Sequence, residues 1–339
     1  MASLTSDTKV KENEANQGIN SEVRASVMRE SRAMNKMDGS EKAGDKVVTG
    51  DMSLAISAIE EMVASSKKDG EFKYDLRGVH LGKSIAKGKT MKDVYKAFLL
   101  WSQKDTDVKQ KTFNVSKAFR RFDSFATAQE KHYSQTGYFK DPIYYADIEK
   151  VKAVLPLDVH PSTLCGTPAD KSLDGCVLWG MDLGQITDTD IANVGVEPQD
   201  LVKYVWFFLL NALFDDAACH PGVVLCQNLE YMGLGAFMSF QKSMNPVEDH
   251  MNELFYGCAP MKMKKIITVK SPWYINILLG IARLIMSKKI SSRIKNDTVE
   301  KMYSRLGGKQ NLPKGCIGGT GSADGRYAQS PSAKTEEGK

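Results

Sequence analysis

The chain has 339 residues, 42% of them hydrophobic and 26% charged, with 46 Lys and Arg against 41 Asp and Glu. That much apolar material supports one large core or two modest ones and excludes general disorder. A net charge of +5 over this length is too weak to mark a nucleic-acid-binding chain, so the placement of the charge says more than its sum.

Residues 1–50 are polar, with eight basic and eight acidic side chains, and read as a disordered arm with a weak helical tendency near Ser21–Met34. Glu12, Glu14, Glu22 and Glu30 and the lack of an apolar run there argue against a secretory signal. Asp51–Lys67 reads as a helix from the spacing of Leu54, Ile56, Ile59, Met62 and Val63, with Asp51 or Ser53 as cap. Thr90–Ser102 reads as a second helix, with Val94, Ala97, Phe98 and Trp101 on one face. Asn114–Tyr133 reads as a third, with a stripe of Val115, Ala118, Phe119, Phe122 and Phe125. Together they predict a small helical N-terminal lobe over 51–140, ahead of a domain over 150–317.

From Asp174 the texture changes. Cys176–Leu183 reads as a strand after a turn, and Thr187–Phe214 as a loop and a long helix whose end is apolar nearly all round. Gly222–Gln227 reads as a second strand, Asn245–Cys258 as an amphipathic helix, Lys265–Val269 as a third strand and Pro272–Asn296 as a long helix. This alternation predicts an α/β fold with an at least partly parallel sheet. Gly318–Lys339, rich in Gly, Ser and Pro, reads as a disordered tail.

The chain lacks a G-x-S-x-G elbow, a P-loop and an H-E-x-x-H motif. Gly233-Leu-Gly235 and Gly319-Thr-Gly321 read as turns. The histidines are isolated, and His160, His220 and His250 lack ligand spacing with any of the six cysteines, so neither an enzyme nor a metal site is expected. The cysteines read as reduced thiols. The longest greasy stretches, Leu201–Phe214 and Ile275–Met286, are shorter than the roughly 20 residues a spanning helix needs, which predicts a soluble protein.

Pro272–Met286 is apolar around almost its whole circumference and runs into a basic stretch. Residues 261–305 hold eleven basic and two acidic side chains, so this segment carries +9 and the rest of the chain −4. A greasy helix beside concentrated positive charge suits a surface that meets anionic lipid; a fully buried core helix is the other reading.

Four ordered pieces carry a family resemblance. Gly222-Val-Val-Leu-Cys-Gln-Asn-Leu-Glu-Tyr231 looks like a strand followed by D-L-E and an aromatic, with Asn228 in place of the Asp. Ala259–Trp273 looks like a "P-x-(K/R)" element, a strand and an "N-x-P-x-x-F" helix opening. Ser287–Ile294 looks like "x-E-K-(I/L)-x-x-(R/K)-I", and Leu312–Gly319 like "L-P-x-x-(Y/F)-G-G" stretched by one residue. In this order they resemble the CRAL-TRIO lipid-binding domain family over about residues 150–320.

The resemblance implies a mixed β-sheet floor with surrounding helices, a hydrophobic cavity, and a mobile gate helix, here Pro272–Ile294. Strand alternation puts Val177, Trp179 and Met181, and Val223 and Leu225, on one face, with Gln227 next in the alternation as a polar partner for a ligand or for backbone. Position in the resembled fold adds Val205, Phe208, Leu209, Leu254, Phe255, Met263 and Ile266, and Trp273, Ile277, Leu278 and Ile281 of the gate; ordinary core packing is the alternative for each. Lys262, Lys264, Lys289 and Arg293 match basic residues that bind anionic or phosphoinositide headgroups, Lys289 and Arg293 lying one helical turn apart. Met261 stands where an inositol-binding relative has an acidic residue, which favours a more apolar cargo.

The implied activity is exchange: docking on an anionic membrane surface, opening of the gate, and passage of one hydrophobic small-molecule lipid into the cavity. The expected ligand is a bound lipid with no other cofactor, and the expected protein is a cytoplasmic, transiently membrane-associated monomer that does not bind nucleic acid. The alternative is a lipid-responsive scaffold or regulator that recruits partners through the arm.

Overall fold

In the computed structural model, residues 21–36, 39, 41–66, 89–104, 111–136, 151, 159–165, 168–185, 195–245 and 248–322 are described. The chain begins with helix α1 (Ser21–Met34), then β1 (Val47–Thr49), α2 (Met52–Ser65), α3 (Met91–Ser102), β2 (Thr112–Asn114) and α4 (Val115–Thr136). β1 and β2 pair antiparallel and tie the segment before α2 to the start of α4. Local chemistry starts these helices where it was expected: Asp51 Oδ1 accepts the Ser53 N–H at 2.8 Å, and the Thr90 N–H donates to Asp93 Oδ2 at 2.7 Å. The α3 and α4 stripes meet through Phe98, Phe122 and Phe125, whose rings contact edge to face.

The main sheet runs β3 (Val159–Thr163), β4 (Val177–Asp182), β5 (Val223–Asn228), β6 (Met263–Val269), β7 (Ile294–Asp297) in space as in sequence. β3 is antiparallel to β4 and the other pairs are parallel, so this is the mixed sheet with helices around it that was expected. Crossovers α5 (Pro198–Leu213) with α6 (Asp216–Cys219), then α7 (Leu234–Met244) with α8 (Glu248–Asn252), then α9 (Trp273–Arg283) with α10 (Lys288–Arg293), link the parallel strands. A final helix, α11 (Val299–Leu306), follows β7.

Both faces of the sheet are covered, which is why its central strands are continuously apolar. Val177, Trp179, Val223, Leu225, Met263 and Ile266 join a core that also holds residues of the N-terminal lobe, of α5 and α9, and Leu254 and Cys258. Leu178, Val224, Cys226, Ile267 and Val269 face a smaller core with Met302 and Leu306 of α11 and with Leu312 and Cys316. The six cysteines are free thiols, five of them buried and Cys165 exposed.

Several expectations need correction. The arm is not disordered over its described part: Val23, Val27 and Met34 of α1 are buried in the main core. Residues 1–20 lie outside the described residues. The long gate helix is two helices, because the chain turns at 284–287 and Ser287 Oγ accepts the Ile290 N–H to start α10. The Asn245–Cys258 helix is α8 from Glu248, continued by a π-helical turn over Glu253–Cys258. The tail does not begin at Gly318: the Lys314 N–H donates to the Gly321 carbonyl and the Gly321 N–H to Leu312, and only residues beyond 322 lie outside the described residues. β3, β7, α7 and α11 were not expected as elements. β3 carries Pro161, which an edge strand tolerates, and β7 is a short polar edge strand at the other side.

Arg121 of α4 ties these parts together. Its guanidinium donates to the carbonyls of Tyr256 (3.0 Å), Gly257 (2.5 Å) and Ala259 (2.9 and 3.2 Å) at the end of the π turn, and to Lys36 (2.9 Å) just beyond α1. Arg121→Met takes the donor from four carbonyls, of which that of Ala259 is buried, and is expected to lower stability in urea unfolding by about 1–3 kcal/mol. Arg121→Lys should recover little, since one ammonium cannot span four acceptors; full stability of the Lys variant would contradict this account.

Candidate functional site

A cavity of about 270 Å³ lies at the carboxyl end of β4 and β5, where Met181 and Gln227 end the inward alternation. α5 contributes Leu201, Tyr204 and Val205, α7 contributes Phe240 and Gln241, and α8 with its π turn contributes Glu248, Met251, Asn252, Phe255 and Tyr256. α1 completes the wall with Glu30. The lining is mainly apolar with a few convergent polar groups, the usual character of a small-molecule site.

Met181, Val205, Gln227 and Phe255 are the pocket candidates from the sequence that line this cavity. Val177, Trp179, Phe208, Leu209, Val223, Leu225, Leu254, Met263, Ile266 and Leu278 are buried in the main core and do not line it. The reason is the bulk of α5. Phe208 packs edge to face on Trp179 at 6.1 Å, on Tyr204 at 5.0 Å and on Phe207 at 5.3 Å, filling the middle of the sheet face.

The gate residues divide along α9. Tyr274, Ile275, Leu278 and Ala282 are buried, Ile277 and Ile281 are half-buried, and Trp273 at the start is exposed. The Tyr274 hydroxyl donates to the Met232 carbonyl at 2.9 Å and anchors that end. The other end meets α1: Asn35 Nδ2 donates to the Ile285 carbonyl (3.0 Å) and Asn35 Oδ1 accepts the Ser287 N–H (2.7 Å). α1 therefore lies against both α9 and the cavity.

The polar wall was missed in the sequence. The Tyr256 hydroxyl donates to Glu30 Oε1 at 2.8 Å. Arg29 pairs with Glu248 at 2.6 Å, and the Ser26 hydroxyl lies 2.6 Å from Glu248 Oε1 and 2.8 Å from Gln241 Oε1. The one available signal was the spacing of Val23, Val27 and Met34 within a polar arm; their partners lie more than two hundred residues away.

The proposed headgroup residues do not form one uniform set. Lys289 is exposed and Arg293 half-buried on α10, and Lys264 is half-buried on β6, whose pairing of Ile266 with Ile294 brings the two elements together. Lys262 is turned into the protein: its ammonium donates to the Gln103 carbonyl at 2.9 Å and lies 3.2 Å from His220 Nδ1. A polar surface groove beside α10 is lined by Arg283, Lys288 and Lys295, so part of the positive segment gathers beside α9 and α10.

Burial pushes the Glu30 carboxyl above its ordinary 4.5, opposed by the Tyr256 hydrogen bond and reinforced by the charge of Glu248. The folded protein therefore holds this proton more tightly than the unfolded chain does. Its contribution to stability is full below 4.5 and is lost as pH rises through the raised value. Glu30→Gln keeps an acceptor for Tyr256 and removes the ionisation, so its melting temperature should gain on wild type at about pH 8 relative to about pH 4. The same difference at both pH values would count against a buried, proton-holding carboxyl.

Among the described residues no helix is long and apolar enough to cross a membrane, and no group of three or more His, Cys, Asp or Glu is placed to hold a metal. A comparison with curated proteins returned no match. Residues 168–318 match the family model of the CRAL/TRIO domain. That span holds β4 to β7, the crossover helices and the inner face of the cavity, so residues 168–318 form a CRAL/TRIO domain, a type of domain that binds and transfers lipids and other small hydrophobic ligands.

Proposed function

We propose that this protein takes one lipid into the cavity between the sheet, α5, α8 and α1 and exchanges it with membranes by movement of α9. The observation that carries the reading is a mainly apolar cavity inside a CRAL/TRIO domain, beside a helix that keeps greasy residues in water. Trp273 (54% exposed) opens α9 and Leu284 (86%) follows its end, and Tyr231 (87%) lies beside the Met232 carbonyl that anchors Tyr274. Exposed aromatic and aliphatic tips next to cations suit the acyl–headgroup boundary of a bilayer.

Docking is electrostatic in this reading. Lys264, Lys289 and Arg293, with the neighbouring Arg283, Lys288 and Lys295, face anionic or phosphoinositide headgroups, each worth about 1 kcal/mol near such a surface. Moving a lipid through water forfeits about 0.8 kcal/mol per CH₂, and a closed cavity offsets that loss. The protein is a carrier and not an enzyme, a monomer working in the cytoplasm and touching membranes transiently.

Lipid extraction of the purified protein followed by mass spectrometry should return one hydrophobic ligand per chain, and labelled lipid should move between vesicles in its presence. A protein that carries nothing and transfers nothing overturns the proposal. Lys289→Glu combined with Arg293→Glu should weaken binding to phosphoinositide vesicles at low salt by at least about tenfold while the fold survives. Unchanged vesicle binding would remove α10 from the docking surface.

A further inference from the structure

α1 lies outside the matched domain, yet it supplies one wall of the cavity. Its lining residue is a carboxyl group, Glu30. Glu30 accepts the Tyr256 hydroxyl on Oε1 and has no other side-chain partner among the described residues, and Glu248 beside it is engaged by Arg29 and Ser26. In the lining of the same cavity Asn252 keeps its Nδ2 buried with no hydrogen-bond partner among the described residues. An unmade bond on a buried donor is costly, and an acceptor brought by a ligand recovers it.

We infer that Glu30 and Asn252 select the polar end of the ligand, and that this end is a single uncharged oxygen group, a hydroxyl or a carbonyl, on an apolar chain lying against Met181, Leu183, Phe240, Met251 and Phe255. The inference rests on the cavity being the ligand site. A hydroxyl or carbonyl accepts from Asn252 Nδ2 and meets Glu30, which donates when protonated and accepts when ionised. A carboxylate or phosphate brings a further negative charge beside Glu30 and Glu248, where the cation Arg29 is already held by Glu248 at 2.6 Å. An ammonium group suits the carboxyls but leaves the Asn252 donor facing another donor. The specificity therefore comes in part from a helix that the domain itself does not contain.

The test is competition by dodecanol, dodecanoate and dodecylamine, three chains differing only in their ends, for a fluorescent apolar probe bound to the full-length chain at neutral pH. Dodecanol should compete at least about tenfold better than either charged chain. Glu30→Gln should strengthen dodecanoate while changing dodecanol by less than about threefold, and Asn252→Leu should weaken dodecanol by about tenfold without helping dodecanoate. Equal competition by dodecanol and dodecanoate, or a preference for the amine, overturns the inference and leaves the cavity as a ligand site. Failure of all three to displace the probe overturns the cavity reading itself. If Glu30→Gln does not fold, the wild-type ranking and Asn252→Leu decide alone.

Discussion

The guanidinium of Arg121 is where three parts of the molecule converge. It comes from the N-terminal lobe, and its acceptors are the last carbonyls of the α8 π turn and the Lys36 carbonyl beyond α1. Trp101 lies under its plane at 4.8 Å. Burying a guanidinium is expensive unless its donors are met. Backbone carbonyls at helix ends lack intrahelical partners and need donors. Each side supplies what the other lacks, so α1, α4 and α8 take fixed positions. The cavity between α1 and α8 inherits its width from that arrangement.

The same arrangement grades the stiffness of the cavity's surroundings. The wall carries a charged network of Arg29, Glu248, Ser26 and Gln241, and its end is held by Arg121. α9 is held at its far end by the two neutral hydrogen bonds of Asn35, one residue before Lys36. Neutral bonds contribute about 1 kcal/mol each, and bonds to charged groups more. The polar contacts at the far end of α9 are therefore weaker than those that hold α1. In the proposed exchange this leaves α9 as the element that moves and α1 as the element that reads the ligand.

The sequence was legible where local pattern and burial agree. The helices of the lobe, the central strands and the crossover order follow from apolar spacing, caps and turn residues, and the strand alternation puts Met181 and Gln227 on the cavity face. It misled where one pattern serves two structures. Pro272–Asn296 is greasy and then basic without a break in composition, yet Ser287 starts a new helix there. Trp179 and Phe208 have the character of pocket wall and are solid core, because they fill the sheet face against each other. Lys262 sits in a basic run and spends its charge on Gln103 and His220.

By itself the sequence determined the α/β order, the domain type, and the charge gathered around one apolar helix, since these depend on the periodicity and composition of neighbouring residues. Tertiary structure decided which part of the sheet face stays open and what closes it. A polar segment such as Ser21–Met34 buries only a thin stripe and reads as an arm until its partners are present. Those partners, Gln241, Glu248, Tyr256 and Ile285, are brought to it by the crossovers, a long-range pairing that no local pattern records.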